Sequence, residues 1–197
     1  MHCIDAMPET NFEIHSGNPV EKKFWGRLPL ISATAQYYFT KESLIQNLIH
    51  QIKYKRNKEL GLQLGTMMGN SLKLSGRFNA DVLIPLPLFP AKEKKRGYNQ
   101  ATLLCEGMAE AMNIPILKDV IIRPQFTETQ TRKGRIERWL NMEGKFVLTN
   151  PDAIKNKYVL LVDDVVTTGA TLEACGVELL KAENVHLSLA TFSYASR

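Results

Sequence analysis

Hydrophobic residues along the chain alternate between short continuous runs and stripes at helical spacing, which predicts strands alternating with helices. The stripes predict helices over residues 44–52, 60–75, 99–112 and 171–180. The apolar runs predict strands at 82–84, 120–122, 145–148, 158–162 and 185–192, and a strand or bent hairpin arm at 28–39. Because strands that alternate with helices are joined by right-handed crossovers, the pattern predicts an α/β fold. We expect a mainly parallel, twisted sheet flanked by helices on both faces.

Two segments lack this pattern. Residues 1–27 are polar and rich in turn-forming residues, which predicts an irregular lead-in before a single domain over residues 28–197. Residues 123–144 contain few apolar anchors, and their second half is predicted to be helical from Arg135 to Leu140. A connection of that length in a compact domain is either disordered or a functional lid.

The composition is that of a globular protein: 197 residues, of which 44% are hydrophobic and 23% charged. No apolar run approaches the roughly 20 residues that span a bilayer. The first residues do not resemble a signal peptide, so we expect no membrane partner and a cytoplasmic location. The formal net charge of +5 fits a polyanionic ligand and equally a solvated basic surface, so charge alone does not decide the function.

The chain has three cysteines, which cannot form a complete set of disulfide pairs. Cys105 and Cys175 fall on apolar helix stripes, which predicts buried, reduced thiols without a catalytic role. Cys3 lies beside His2 in the polar N-terminal segment, with no partner cysteine near it in the sequence.

The most informative stretch is residues 158–172, where a buried strand runs into two adjacent acids and then a turn at the start of a helix. The acids are Asp163 and Asp164, and the turn is Thr167, Thr168, Gly169, Ala170 and Thr171. Backbone N–H groups at a helix N-terminus, supplemented by threonine hydroxyls, can hold a phosphate without lysine or arginine. Carboxylates accept hydrogen bonds from sugar hydroxyls or from water on Mg2+. Together these parts indicate a sugar-phosphate site, although either half alone is also typical of an ordinary strand end and capped helix.

A second anion site is predicted after the strand at 82–84. The prolines that follow this strand exclude both helix and central strand, and a basic loop then precedes the helix at 99–112. The loop contains Lys92, Lys94, Lys95, Arg96 and Gly97. Another basic patch, residues 53–58, is either a solvated loop or a ligand contact, and His50 is expected at the surface. Ligands of parallel sheets bind at the carboxyl ends of the strands, so both anion sites and the lid should converge on one crevice.

Residues 158–172 resemble the 5-phosphoribosyl-1-pyrophosphate (PRPP) signature of type I phosphoribosyltransferases, in which apolar residues flank two acids before T-T-G-x-T. Residues 82–100, VLIPLPLFPAKEKKRGYNQ, are similar to the strand, P-x-P exit, basic run and R-G-[FY]-N-Q of the ComF family. Three shorter segments are also similar to ComF-like proteins: T-x-x-Q-T at 127–131, R-x-x-N at 138–141 and H-x-x-K-Y at 50–54. The resemblance covers roughly residues 24–195.

This resemblance implies a type I phosphoribosyltransferase fold with a small N-terminal hood and a flexible lid loop, and binding of PRPP with Mg2+. Asp163 and Asp164 would be catalytic, meeting the ribose hydroxyls or Mg2+-bound waters, while residues 167–171 hold the 5-phosphate. Pyrophosphate would bind at Leu86, Pro87, Lys94, Arg96 and Gly97. The lid residues would be Thr127, Gln130, Thr131, Arg132, Lys133 and Arg135, with Arg138 as a further catalytic residue.

The implied reaction is displacement of pyrophosphate from PRPP by a nitrogen acceptor that the sequence does not identify. The alternative is a non-catalytic PRPP-binding factor that handles single-stranded DNA in natural transformation. The surface that binds DNA would consist of three basic segments, residues 53–58, 92–96 and 132–138. The aromatic residues for stacking would be Tyr54, Tyr98 and Trp139. Packing at loop bases is the simpler role for those aromatic residues. A homodimer is compatible with the sequence but not required by it.

The chain departs from the ComF pattern at its N-terminus. Many ComF-like proteins begin with a four-cysteine zinc module, to which only Cys3 could correspond here. A structural zinc site needs about four Cys or His ligands. We therefore expect no zinc in this chain, the module having been lost or truncated.

Overall fold

The computed structural model of the chain describes residues 7–124 and 146–195. Its helices are α1 (Pro19–Phe24), α2 (Leu44–Tyr54), α3 (Lys58–Ser75), α4 (Pro90–Arg96), α5 (Gln100–Met112) and α6 (Ala170–Leu179). Its strands are β1 (Ser32–Tyr38), β2 (Val82–Pro85), β3 (Ile121–Ile122), β4 (Val147–Leu148), β5 (Tyr158–Val166) and β6 (His186–Tyr194). A short 3-10 helix, Pro151–Ala153, precedes β5. No helix of the described residues has the length and apolar character needed to cross a bilayer.

Four of the strands form one parallel sheet in the order β1-β6-β5-β2. The pairing of β5 with β6 runs from Tyr158 opposite His186 to Val166 opposite Tyr194. Since all four strands point the same way, their carboxyl ends meet at one edge, which is where parallel sheets bind ligands. The predicted α/β fold with a mainly parallel sheet is confirmed.

Helices cover both faces of this sheet, as predicted. Alternate residues of a strand point to opposite faces. Along β5, Val159 and Leu161 pack in the core of α1 and α6, whereas Leu160 and Val162 pack in the core of α2, α3 and α5. The predicted buried thiols occupy these two cores, Cys175 on the first face and Cys105 on the second, and both are free.

Residues 7–27 contribute to the core, so the prediction of an irregular lead-in is wrong for this part of the chain. Helix α1 begins after Asn18, whose side-chain oxygen accepts from the first backbone N–H groups, and it buries Val20 and Phe24. The Asn18 amide also donates to the Ala33 carbonyl oxygen of β1 at 2.8 Å. Six residues are too few to display a helical stripe, which is why the hydrophobic pattern did not indicate α1.

Two of the predicted strands lie outside the parallel sheet. Strands β3 and β4 pair with each other in antiparallel fashion, with Ile121 opposite Leu148, and pack in the core of α1 and α6. The chain after β3 therefore does not leave from a strand of the main sheet, contrary to prediction. Its first residue, Arg123, nevertheless lies beside the exit of β2, with its guanidinium 5.8 Å from the centre of the Phe89 ring. The predicted lid falls outside the described residues from residue 125 onward.

Two boundaries differ from prediction in ways that affect the site. The basic segment before Gly97 is helix α4 rather than a loop, because Pro90 suits a first helical turn and lysine and arginine are good helix formers. Strand β5 continues to Val166, because its β-branched residues keep pairing with β6. Asp163 and Asp164 consequently lie within the strand rather than after it.

Candidate functional site

A crevice of about 510 Å3 lies at the carboxyl ends of β2 and β5. It is lined by residues of both predicted anion sites: Leu86, Pro87, Asp163, Asp164, Thr167 and Thr171. One face of α2 contributes Gln46, Ile49, His50, Lys53 and Tyr54. The fold therefore brings the two motifs into one site, as their positions after parallel strands predicted.

The two acids point to opposite faces of the sheet because they are consecutive residues of one strand. Asp164 has the orientation of Leu160 and Val162 and so faces α2. Its carboxylate oxygen Oδ2 lies 2.6 Å from Lys53 Nζ, and both side chains are sheltered, with exposures of 9% and 22%. Lys53 thus neutralises Asp164, the more deeply buried member of the acidic pair, whereas Asp163 is half-buried.

Asp163 has no such partner of its own among these contacts, and its environment disfavours the charged form. Burial, and secondly the charge of Asp164, raise the pKa of Asp163 well above that of an ordinary carboxyl group. A backbone hydrogen bond from Asp164 and the charge of Lys53 act in the opposite direction. Burial and the charge of Asp164 both act against simultaneous ionisation of the two carboxyl groups.

The threonine-rich turn leads directly into the N-terminus of α6. Gly169 takes a φ of 81°, which favours glycine, and α6 begins immediately after it without a side-chain cap from the N-cap residue. A Cβ at Gly169 would lie 2.8 Å from Phe24 Cζ, so α1 supports this turn from behind. Thr167 and Thr171 line the crevice, and the Thr168 hydroxyl oxygen accepts from the Ala170 N–H at 3.4 Å.

The R-G-Y-N-Q motif fixes the positions of three elements around the crevice. The Tyr98 hydroxyl donates to the Ile52 carbonyl oxygen in the last turn of α2. The Asn99 amide donates to the Leu86 carbonyl oxygen at 2.9 Å, and its side-chain oxygen caps α5. Gln100 accepts a hydrogen bond from Arg96 of α4. These contacts assign the motif a structural role, whereas the sequence suggested only that it marks an anion-binding loop.

A second, basic crevice of about 490 Å3 adjoins the first. Its charged lining residues are all cations: Lys53, Arg56, Lys92, Lys95 and Arg96. Lys92, Lys95 and Arg96 share one face of α4, whereas Lys94 is exposed on another and is not among the lining residues of either crevice. Helix formation separates Lys94 from the other three cations, and Gly97, with a φ of 87°, ends α4. The role predicted for Lys94 stays a prediction.

Lys53, Arg123 and His50 line the crevice but were not predicted as site residues. The H-x-x-K-Y segment contained a signal for two of them, although the sequence left its basic patch undecided and placed His50 at the surface. His50 is indeed exposed, with its ring 4.9 Å from that of Tyr54. Arg123 follows β3 and lies over the ring of Phe146 at 5.3 Å, and no motif signalled it.

The aromatic residues proposed for stacking on nucleic acid differ in accessibility. Tyr54 is 66% exposed and carries Arg96 over its ring at 5.7 Å. Tyr98 is buried, which fits the simpler packing role and leaves it unable to stack on bases as the alternative would require. Trp139 lies outside the described residues, as do all the predicted lid residues, Arg138, His2 and Cys3.

The residues of the crevice fit a magnesium ion that arrives with an anionic ligand. Carboxylate oxygens are the ligands that Mg2+ prefers, and it commonly completes its shell with water and substrate phosphates. Over residues 7–124 and 146–195, no group of three or more His, Cys, Asp or Glu side chains could hold a metal ion by itself. The expectation about zinc remains a prediction.

No family model matches the chain. Several curated proteins are similar to it in sequence. The DNA utilization protein YhgH of Escherichia coli O157:H7 is 29% identical over 181 residues, which cover 89% of this chain and 76% of YhgH. Competence protein F of Haemophilus influenzae is 29% identical over 160 residues, covering 80% of this chain and 69% of that protein. The resemblance to ComF-like proteins is confirmed.

Two further similarities cover a smaller part of this chain. Competence protein ComFC of Bacillus subtilis is 36% identical over 107 residues, covering 53% of this chain and 41% of ComFC. The glutamine PRPP amidotransferase of B. subtilis, solved with ADP and GMP, superposes with a TM-score of 0.44 and 21% identity over 66% of this chain and 25% of the other. A score that low does not establish a common fold by itself, so the α/β assignment depends on the strand order and direction described above.

The raised pKa of Asp163 predicts a pH-dependent effect of Asp163→Asn. Because the pKa of Asp163 is higher in the folded than in the unfolded state, ionisation of Asp163 lowers the free energy of unfolding. The loss is complete above the folded-state pKa and absent below the unfolded-state pKa of about 3.9. Asp163→Asn should therefore be more stable than wild type at pH 8, by about 1.4 kcal/mol for each unit of pKa difference, and should lose this advantage near pH 4. Urea denaturation of both proteins across this range measures the difference.

Asp164→Asn is the control for this experiment. It leaves the Lys53 ammonium group sheltered and unpaired, so it should be less stable than wild type at pH 8. Equal stability differences at pH 8 and pH 4 for Asp163→Asn would contradict the assigned burial of that carboxylate.

Proposed function

We propose that this chain binds PRPP together with Mg2+ and transfers its phosphoribosyl group to a nitrogen acceptor. The observation that carries the proposal is the convergence of the Asp163–Asp164 pair and the turn at 167–171 on one crevice at the end of β5. A sugar phosphate presents a diol and a phosphate, which suit the carboxylate acceptors of the strand and the N–H donors of the turn that follows it.

Each part of the crevice has a role in this proposal. Asp163 and Asp164 accept hydrogen bonds from the ribose hydroxyls or from Mg2+-bound waters. The turn at 167–171 donates its N–H and hydroxyl groups to the 5-phosphate, with the N-terminus of α6 adding its dipole. The basic crevice of α4 receives the pyrophosphate through Lys92, Lys95 and Arg96. Leu86 and Pro87 line the first crevice beside it.

The proposed reaction breaks the bond between the anomeric carbon and the pyrophosphate oxygen and forms a bond from that carbon to the acceptor nitrogen. Pyrophosphate leaves with the electron pair, and the acceptor gives up a proton. Cations that gain strength as charge develops on the leaving group lower the barrier more than they tighten substrate binding. Bound Mg2+ would supply the same kind of charge stabilisation. Arg138 and the lid residues at 127–135 remain proposals for closing the site.

Replacing both acids tests the donor site. Asp163→Asn with Asp164→Asn should abolish PRPP binding in the presence of Mg2+, because amides neither attract Mg2+ nor accept from two ribose hydroxyls as strongly. Calorimetry with wild type and variant measures the decrease in affinity, which should exceed about 100-fold, and circular dichroism checks that the fold is retained. The control is Asp81→Asn, at the amino end of the sheet, where Asp81 Oδ2 accepts from the Tyr158 N–H. Undiminished affinity in the double variant would refute the assignment.

A second candidate function is single-stranded DNA handling without catalysis. The specific observation is the basic crevice, whose lining among the described residues contains five cations, an exposed tyrosine and no carboxylate; of these cations Lys53 is paired with Asp164 from the neighbouring crevice. Cationic grooves with accessible aromatic rings are typical of sites that bind single strands. The names of the relatives, DNA utilization and competence proteins, point in the same direction.

Salt dependence of DNA binding tests this candidate. Lys92→Gln with Lys95→Gln should weaken binding of a labelled single-stranded oligonucleotide. It should also reduce the slope of log K against log salt by about 1.4, or about 0.7 for each DNA phosphate that the variant no longer neutralises. Fluorescence anisotropy at several salt concentrations measures both. Lys155→Gln with Lys157→Gln removes the same charge just before β5, at the amino end of the sheet, and should leave the slope unchanged. Equal slopes for both double variants would contradict DNA binding at α4.

A further inference from the structure

Lys53 stands between the acidic and the basic parts of the site. It lines both crevices, with the carboxylate pair on one side and the cations of α4 on the other. Its ammonium group lies 2.6 Å from Asp164 Oδ2. A lysine side chain has a flexible four-carbon stem, so an ammonium group in this position can reach groups in either crevice.

The position of Lys53 is fixed by the packing of α2. The preceding residue, Ile52, is buried with Ile45 and Ile49 under the helix, and its carbonyl oxygen accepts the Tyr98 hydroxyl hydrogen bond. The last turn of α2 is therefore tied to the start of α5, and the stem of Lys53 starts from a rigid point. The ion pair with Asp164 is consequently a built feature rather than a chance contact between exposed side chains.

Lys53 holds the oxygen that an incoming cation would use. Asp164 is sheltered from water, so its charge needs a partner, and removing either member of such a pair leaves the other uncompensated. A divalent cation that approaches the pair alone must displace the ammonium group. An anionic ligand that arrives with the cation offers the ammonium group phosphate oxygens in exchange.

We propose that Lys53 is a built-in counter-ion for the carboxylate pair, holding Asp164 while no ligand is bound, keeping divalent cations off the pair, and turning to the phosphate groups of a ligand that enters with its metal. Lys53 is a positioning residue in this account. Metal and anionic ligand then bind in a coupled manner, and the metal alone binds weakly. The inference depends on the proposed function only for the identity of the anionic ligand.

The test is a titration of the full chain with Mn2+ alone. Binding is measured by calorimetry or by the electron paramagnetic resonance signal of free Mn2+. Lys53→Met keeps the apolar stem and removes the charge, so it should bind Mn2+ at least about tenfold more tightly than wild type. Lys53→Arg keeps a cation and should bind as weakly as wild type. Adding Asp164→Asn to Lys53→Met should remove the gain.

Lys55→Met is the matched control, because it removes the same charge from an exposed lysine at the end of the same helix. The inference is overturned if Lys53→Met binds Mn2+ no more tightly than wild type, or if Lys55→Met gains as much. Should Lys53→Met not fold, Lys53→Gln makes the same change in charge while still donating to Asp164, and the same outcomes apply. A wild-type chain that does not bind PRPP would contradict the proposed function and leave these titrations unaffected, since they contain no PRPP.

Discussion

Two adjacent carboxylates at the end of a buried parallel strand impose the constraint around which this structure is arranged. Because they are consecutive residues of a strand, they point to opposite faces of the sheet. The unfavourable burial of charge must therefore be offset separately for each of them. Asp164 is neutralised by Lys53, which requires α2 to be docked with its last turn above the strand end. Asp163 is held by its surroundings toward the neutral form. Lys53 thus offsets the charge of the acidic pair on the α2 side of the sheet.

The docking of α2 explains the arrangement of the remaining motifs. Tyr98 anchors α2, Asn99 anchors the exit of β2, and Gln100 receives Arg96, so one short motif at the start of α5 ties together the walls of the crevice. On the other face of the sheet, α1 places Phe24 beneath Gly169 and supports the anion turn. Residues with no role in chemistry thereby set the distances between those that have one.

The sequence predicted the features that depend on local pattern. The helical stripes located α2, α3, α5 and α6, the apolar runs located the strands of the parallel sheet, and the acidic and threonine-rich motif located the centre of the crevice. Features that depend on tertiary packing were missed. Lys53 becomes a site residue only when α2 docks, α1 is too short to show a period, and the pairing of β3 with β4 is decided by contacts far apart in the sequence.

A structure of the chain crystallised with PRPP and Mg2+ tests the central claim most directly, because it locates every group of the ligand at once. The account predicts that the ribose hydroxyls lie within hydrogen-bonding distance of Asp163 or Asp164, directly or through Mg2+-bound water, and that the 5-phosphate lies on the N–H groups of residues 167–171. A ligand bound elsewhere, with Lys53 still paired to Asp164 and the turn at 167–171 making no phosphate contact, would contradict it.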